Sequence, residues 1–397
     1  MARYVVFCKD MSLEEAQAQC EACGARNLRV ARVSRQIFCD LEEAAVQQLR
    51  QIPGLTVRPV ERVLPAQVAA PPVSTPTQPV YAGFHAVLAS AFWEARETLN
   101  PPLTGQGYTI CILDTGIRKT HRGLVGKVVY EVNLSDSPTA EDVFDHGTGV
   151  AWMAAGGRHA PGEESGTAPG ASLWNIKVLN DEGEGTVEDI VVGLEHVIEL
   201  RQQAIAQGLP NDDPLFPNII NMSFGTPDDG DPDNPLRVAS RAALEAGFGV
   251  VAAAGNAGPG ASTIMAPAAE PWVVAVGALT LSPFDVWEYS GRGPTREGFV
   301  KPDLVFYGVD LLTASSKSDT AFEIKSGTSF AAPYVAGIGA LGQEAARRIL
   351  GYWITEEQAL QMVLPFTVKP PGAPAGKDNA YGLGMPFGTL LRQALEG

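Results

Sequence analysis

Tyr108-Thr109-Ile110-Cys111-Ile112-Leu113-Asp114-Thr115-Gly116 is the stretch on which the fold turns. Its apolar run carries no polar alternation, the pattern of a strand buried on both faces in a parallel sheet covered by helices. Further strand-like runs stand at 173–178, 219–222, 249–254 and 272–278, with helical periodicity between them at 186–207 and 236–246. This alternation predicts an α/β domain with a largely parallel sheet flanked by helices over residues 81–397. In such folds functional side chains gather at the carboxyl edge of the strands, which is where Asp114 falls.

Upstream of that domain the pattern changes. Residues 4–8 read as a strand, and Ser12 with Glu15 three residues on has the spacing of a helix capping box. Two strands at 27–33 and 36–40, a helix at 41–51 and a strand at 55–60 complete a strand-helix-strand-strand-helix-strand order. Residues 1–64 are therefore expected to form a small ferredoxin-like α+β domain. Residues 65–80 contain Pro65, Pro71, Pro72, Pro76 and Pro79 among small residues and read as an extended linker.

Composition narrows the function. The 397 residues carry 29 Lys/Arg against 45 Asp/Glu, a net charge of −16. No basic face is available for phosphate, so no nucleic-acid partner is expected. No apolar run reaches the roughly 18 residues a membrane span needs, so no membrane partner is expected either. The start, Met1-Ala2-Arg3-Tyr4, leads straight into Val5-Val6-Phe7 without the pattern of a secretory signal. With an odd number of cysteines (Cys8, Cys20, Cys23, Cys39 and Cys111), this predicts reduced thiols and a cytoplasmic protein. Cys20 and Cys23 form a CxxC, read as a buried helix face in preference to a redox pair or a zinc site.

Three segments carry chemistry. Asp114-Thr115-Gly116 closes a strand, Asp145-His146-Gly147-Thr148-Gly149 opens a helix, and Ser326-Gly327-Thr328-Ser329-Phe330-Ala331-Ala332-Pro333 opens another. A serine hydroxyl is a weak nucleophile at neutral pH. It needs an imidazole to take its proton and a carboxylate to orient that imidazole, and Asp114, His146 and Ser329 supply one of each. Asn256, in Ala252-Ala253-Ala254-Gly255-Asn256, lies just past a buried strand, where its amide could donate to an oxyanion beside the Ser329 N–H.

In these motifs and their order the chain resembles the subtilisin-like serine proteases, the subtilase family, over about residues 81–396. The resemblance implies a serine endopeptidase with Asp114, His146 and Ser329 as its triad and Asn256 as oxyanion donor. It implies that Ser223, Phe224 and Gly225 pair with substrate backbone on one side, and Gly183, Glu184 and Gly185 on the other. Ala254 and Gly255 complete the groove. Residues 1–64 resemble the family's inhibitory propeptide, so the expected partners are a peptide or protein substrate and the chain's own N-terminal domain. A peptide ligase using the same triad, or a peptide-binding pseudoprotease, are the alternatives.

No cofactor is required for this chemistry. Calcium is not supported at the site many relatives use, because Gly123 stands where their carboxylate would and the loop at 158–166 offers only Glu163 and Glu164. The acidic run Asp228-Asp229-Gly230-Asp231-Pro232-Asp233-Asn234 reads as a solvated loop in preference to a calcium site. His85, His121, His159 and His196 lack a glycine-flanked setting and are expected at the surface or in support. Self-cleavage is expected between Arg62 and about Gly83, with the linker adding a strand beside residues 223–225. Finally, residues 181–189 hold five carboxylates in nine positions. They predict a preference for basic residues upstream of the cut, while Phe224 is expected to narrow an apolar pocket.

Overall fold

The structure, a computed structural model, describes residues 1–66, 103–157, 165–355, 358 and 367–386. The expected linker from residue 67 on, His85, His159, Glu163 and Glu164 lie outside the described residues.

The N-terminal elements are β1 (Ala2–Cys8), α1 (Leu13–Ala22), β2 (Arg26–Ala31), β3 (Gln36–Leu41), α2 (Glu43–Leu49) and β4 (Leu55–Pro59), followed by a detached strand β5 (Arg62–Pro65). The first four strands make an antiparallel sheet in the order β2-β3-β1-β4. The α1 capping box forms as its spacing predicts. Glu15 N donates to Ser12 Oγ at 3.1 Å and Ser12 N donates to the Glu15 carboxylate at 3.0 Å. The helices cover one face of the sheet, where Val6, Ile37 and Leu41 pack with Cys8, Cys20 and Cys39. All the cysteines are free thiols, and those in this core act as small apolar side chains. Burial raises the Cys8 thiol to about 11.

The rest of the chain builds on β6 (Thr109–Asp114), β7 (Val128–Asn133), α3 (Gly147–Ala155), β8 (Ser172–Lys177), β9 (Gly185–Thr186), α4 (Val187–Ala206), β10 (Ile219–Met222), β11 (Phe224–Pro227), α5 (Pro235–Glu245), β12 (Gly249–Ala253), β13 (Met265–Ala266), β14 (Val274–Thr280), β15 (Asp285–Val286), β16 (Leu304–Tyr307), β17 (Leu311–Ala314), β18 (Phe322–Lys325) and α6 (Thr328–Leu350), with β19 (Thr367–Val368) and β20 (Met385–Pro386) closing the described residues. Eight strands form one sheet, in the order β15-β14-β12-β10-β6-β8-β7 with β16 on β14. All its pairings are parallel except β14 with β15.

β6 is buried throughout, which explains its unbroken apolar sequence. Because side chains alternate across a strand, Ile110 and Ile112 enter one apolar cluster with α3 and α6, while Cys111 and Leu113 enter the other with α4 and α5. The strand is thus clamped between two helical layers and delivers Asp114 to the sheet's carboxyl edge. A second small sheet, in the order β13-β11-β5-β9, lies outside the large one and holds the strand detached from the N-terminal domain.

Candidate active site

Asp114 ends β6, His146 immediately precedes α3, and Ser329 lies in the first turn of α6. All three side chains are buried. Asp114 Oδ1 lies 2.6 Å from His146 Nδ1 and also accepts the Thr115 N–H at 2.8 Å. Gly147 allows this approach, because a Cβ there would stand 2.2 Å from the Gly116 carbonyl oxygen and 3.1 Å from Asp114 Oδ1.

With its ring turned to Asp114, His146 cannot cap the helix it precedes. Asp142, which the sequence reading did not single out, does so instead. Its Oδ2 accepts the Thr148 N–H at 2.8 Å, and its Oδ1 accepts Thr115 Oγ1 and the Asp145 N–H. The available signal was an Asp four residues ahead of the histidine at a glycine-rich helix start.

Ser329 does not join the Asp114–His146 pair. Ser329 Oγ donates to the Ser223 carbonyl at 2.8 Å, and His146 Nε2 has no hydrogen-bond partner among the described residues. Ser223 is tied to α6 in return. Pro333 has no N–H to give the carbonyl four residues back, and that carbonyl, of Ser329, accepts Ser223 Oγ at 2.8 Å. Asn221 Nδ2 donates to the same hydroxyl at 3.0 Å.

Asn256 is oriented by Thr328, whose N–H and Oγ1 donate to Asn256 Oδ1 at 3.0 and 2.9 Å. This leaves Asn256 Nδ2 directed at the carbonyl of Ala66, to which it donates. The Ser329 N–H reaches the same carbonyl at 3.4 Å. Thr328 belonged to a quoted motif, but its positioning role becomes visible only with the Asn256 contact.

Residues 62–66 lie between two strand edges. Phe224 pairs with Pro65 and Gly225 with Leu64 on one side, while Gly185 pairs with Val63 and Thr186 with Arg62 on the other, all antiparallel. The Ala66 N–H donates to the Ser223 carbonyl at 3.0 Å, and the Val187 N–H donates to the Glu61 carbonyl at 2.9 Å. Of the expected groove residues, Ser223, Phe224, Gly225 and Gly185 therefore meet this segment through backbone. Glu184 meets the Arg62 guanidinium at 3.3 Å. Gly183 sits in the preceding turn with φ +77, where a Cβ would strike the Phe144 ring. Ala254 is buried, and Gly255 donates its N–H to Thr328 Oγ1 at 3.2 Å. Phe224 shares an apolar cluster with Val63, whereas Ala66 belongs to the other cluster.

One expectation is corrected. The acidic run at 228–234 is not simply solvated, because Arg58 pairs with Asp229 and Asp231, and Lys9 pairs with Asp233. His121 is fully buried, with Nδ1 accepting the Gly123 N–H at 3.1 Å and Nε2 2.9 Å from the Ala321 carbonyl. His196 is half-buried, with Nε2 2.6 Å from the Tyr130 hydroxyl. Among the described residues no group of three or more His, Cys, Asp or Glu side chains is arranged to hold a metal ion.

Known proteins are similar to this chain in sequence. The chain is 37% identical over 262 residues to Serine protease AprX of Bacillus subtilis (strain 168), a match covering 60% of this chain and 57% of that protein. It is 30% identical over 234 residues to Subtilisin-like serine protease Pen ch 18 of Penicillium rubens, covering 59% of this chain and 43% of the relative. It thus matches less than two thirds of either relative's length. The pattern that defines the subtilase family matches residues 105–384, a span that holds Asp114, His146, Asn256 and Ser329, and the chain is a member of that family.

Proposed function

We propose that this chain is a serine endopeptidase, held in check by its own N-terminal domain until it hydrolyses the Ala66–Gln67 peptide bond. The observation that carries this reading is the Ala66 carbonyl, which accepts hydrogen bonds from Asn256 Nδ2 and the Ser329 N–H, the two donors an oxyanion needs. The antiparallel pairing of residues 62–65 on both sides supports treating the segment as a bound substrate strand.

In the proposed reaction Ser329 Oγ leaves the Ser223 carbonyl by a side-chain rotation and attacks the Ala66 carbonyl carbon. His146 Nε2, unpartnered among the described residues, takes the hydroxyl proton, and Asp114 holds the ring through Nδ1. Asn256 and the Ser329 N–H stabilise the oxyanion. The C–N bond breaks, His146 returns the proton to the amine of Gln67, and a water molecule activated by His146 then releases Ser329. Side chains, backbone and water suffice for every step.

After the cut, residues 1–66 remain as a product in the groove. Arg3 grips Glu188 through two hydrogen bonds of 2.7 and 2.6 Å, and Glu195 accepts the Val33 and Ser34 N–H groups. These contacts support the domain as an intramolecular inhibitor. The free, buried thiols support a reducing, cytoplasmic setting.

The test is N-terminal sequencing of purified wild type and Ser329→Ala after incubation. Wild type is expected to yield a large fragment beginning at Gln67 while the variant stays intact. If the variant is cut at the same bond, or wild type is never cut, the reading fails.

A further inference from the structure

We infer that Asn221 is a positioning residue for the nucleophile, acting through the Ser223 hydroxyl, and that the protein keeps it at a cost in stability. This rests on the peptidase reading above and adds the residue that holds the nucleophile's own peptide group.

Asn221 stands in an apolar layer. Its neighbours along β10 are Ile219, Ile220 and Met222, all buried, and Asn221 itself is fully buried. Because side chains alternate across a strand, Asn221 shares the face of Ile219, towards α3 and α6. Its register partners are Val251 on β12 and Ile112 on β6, both members of that same apolar cluster. There Asn221 Nδ2 donates to Ser223 Oγ at 3.0 Å, while Oδ1 has no hydrogen-bond partner among the described residues. A buried amide oxygen left unpaired destabilises a fold, and an apolar side chain in its place avoids that loss.

The one bond the amide does make accounts for its presence. With its oxygen occupied by the Asn221 N–H, the Ser223 hydroxyl keeps its proton for the Ser329 carbonyl, to which it donates at 2.8 Å. That carbonyl needs a donor because Pro333, four residues on in α6, has no N–H. Ser329 Oγ in turn donates to the Ser223 carbonyl at 2.8 Å, so two bonds clasp residues 223 and 329. When Oγ turns away to attack, the second bond is lost, and the Ser223 hydroxyl is what still ties the end of β10 to the first turn of α6. The opposite amide orientation, with Oδ1 facing Ser223, would draw the hydroxyl proton away from Ser329. A tether that matters while the nucleophile moves acts on the transition state more than on substrate binding.

The experiment uses the self-processed enzyme and a peptide with the sequence of residues 61–70. Asn221→Val is expected to lower kcat about tenfold and to change KM less than about twofold. Ser223→Ala, which removes the hydroxyl, should lower kcat by a similar factor of about ten. Adding Asn221→Val to Ser223→Ala should lower kcat by less than about twofold more, because the link is already gone. In the inactive, uncut Ser329→Ala chain, Asn221→Val is expected to melt no lower than its parent.

Equal kcat losses from Asn221→Val in the two backgrounds overturn the inference. Wild-type kcat in Ser223→Ala overturns it whether or not any Asn221 variant folds. A lower melting temperature for Asn221→Val in the Ser329→Ala chain makes Asn221 an ordinary packing residue, and overturns it too. Wild type that cuts neither this peptide nor casein rejects the peptidase reading itself, and this inference with it.

Discussion

Thr328 shows how much of the proposed chemistry depends on a residue that touches neither carbonyl nor nucleophile. An Asn amide can rotate, and only one of its two orientations presents N–H to the groove. Thr328 fixes that orientation by donating twice to Asn256 Oδ1, and its hydroxyl also accepts the Gly255 N–H. Thr328→Val keeps the shape and the backbone donor but loses the hydroxyl. A net hydrogen bond of about 1–1.5 kcal/mol is at stake. Because the oxyanion forms only in the transition state, kcat should fall about tenfold with KM nearly unchanged. Steady-state kinetics on one peptide checks this, and a rise in KM at constant kcat would assign Thr328 to substrate binding instead.

At the scale of elements, α4 connects the groove to the N-terminal sheet. Its start is set by a capping box, with Thr186 Oγ1 accepting the Asp189 N–H and Asp189 accepting the Thr186 N–H, so the helix leaves directly from the β9 edge. In its first turn, Glu188 meets Arg3 of β1. Two turns further on, Glu195 receives the N–H groups of Val33 and Ser34 at 2.7 and 2.6 Å, at the turn joining β2 and β3. A carboxylate accepting backbone N–H groups makes strong, charge-assisted bonds. In the uncut Ser329→Ala chain, Glu195→Ala should raise amide hydrogen exchange at Val33 and Ser34 by at least about tenfold, since each lost bond to a charged group is worth about 1.5–3 kcal/mol. Unchanged protection at those two amides would show that Glu195 does not hold the domain.

At the scale of the whole molecule, the surplus of carboxylates makes folding respond to pH in two opposed ways. Burial raises Glu61, Glu141, Asp189 and Asp228 above their ordinary values, against the neighbours that favour ionisation. Such groups bind protons more readily folded than unfolded, so they add stability as pH falls from neutral. The opposite holds for Asp40, lowered by the Asn27 hydrogen bond, for Asp285, lowered by Tyr381, and for Asp319, lowered by Thr120 and Arg118. Their folded-state stabilisation is complete above the unfolded value of 3.8 and is lost as pH drops through their lower folded values. The uncut Ser329→Ala chain should therefore hold its thermal stability from neutral pH to about 5, where the raised carboxylates offset His196, whose burial disfavours its protonation, and lose it steeply below about 4. Calorimetry across that range checks the sign, and a midpoint that falls steadily from pH 8 downwards contradicts it.

Much of this was legible in the sequence because it depends on near neighbours or on burial that leaves a mark on composition. The buried strand ending at Asp114 shows its layers as an unbroken apolar run, and the Ser12–Glu15 box and the start of α4 are local hydrogen-bonding units. Asp114, His146, Ser329 and Asn256 stood out because short glycine-flanked motifs surround them. What no local pattern encodes is the meeting of distant edges. That residues 62–66 enter between Gly185 and Phe224, and that the Ala66 carbonyl meets Asn256, depends on two strand edges left unpaired by the large sheet. The acidic run at 228–234 looked solvated because Arg58 and Lys9 lie more than 160 residues away in sequence. The sequence determined the elements and the reactive groups through short-range chemistry. Tertiary structure alone decided which residues of the chain's own backbone enter the groove and what meets the Ala66 carbonyl, because both depend on surfaces that become neighbours only when the chain has folded.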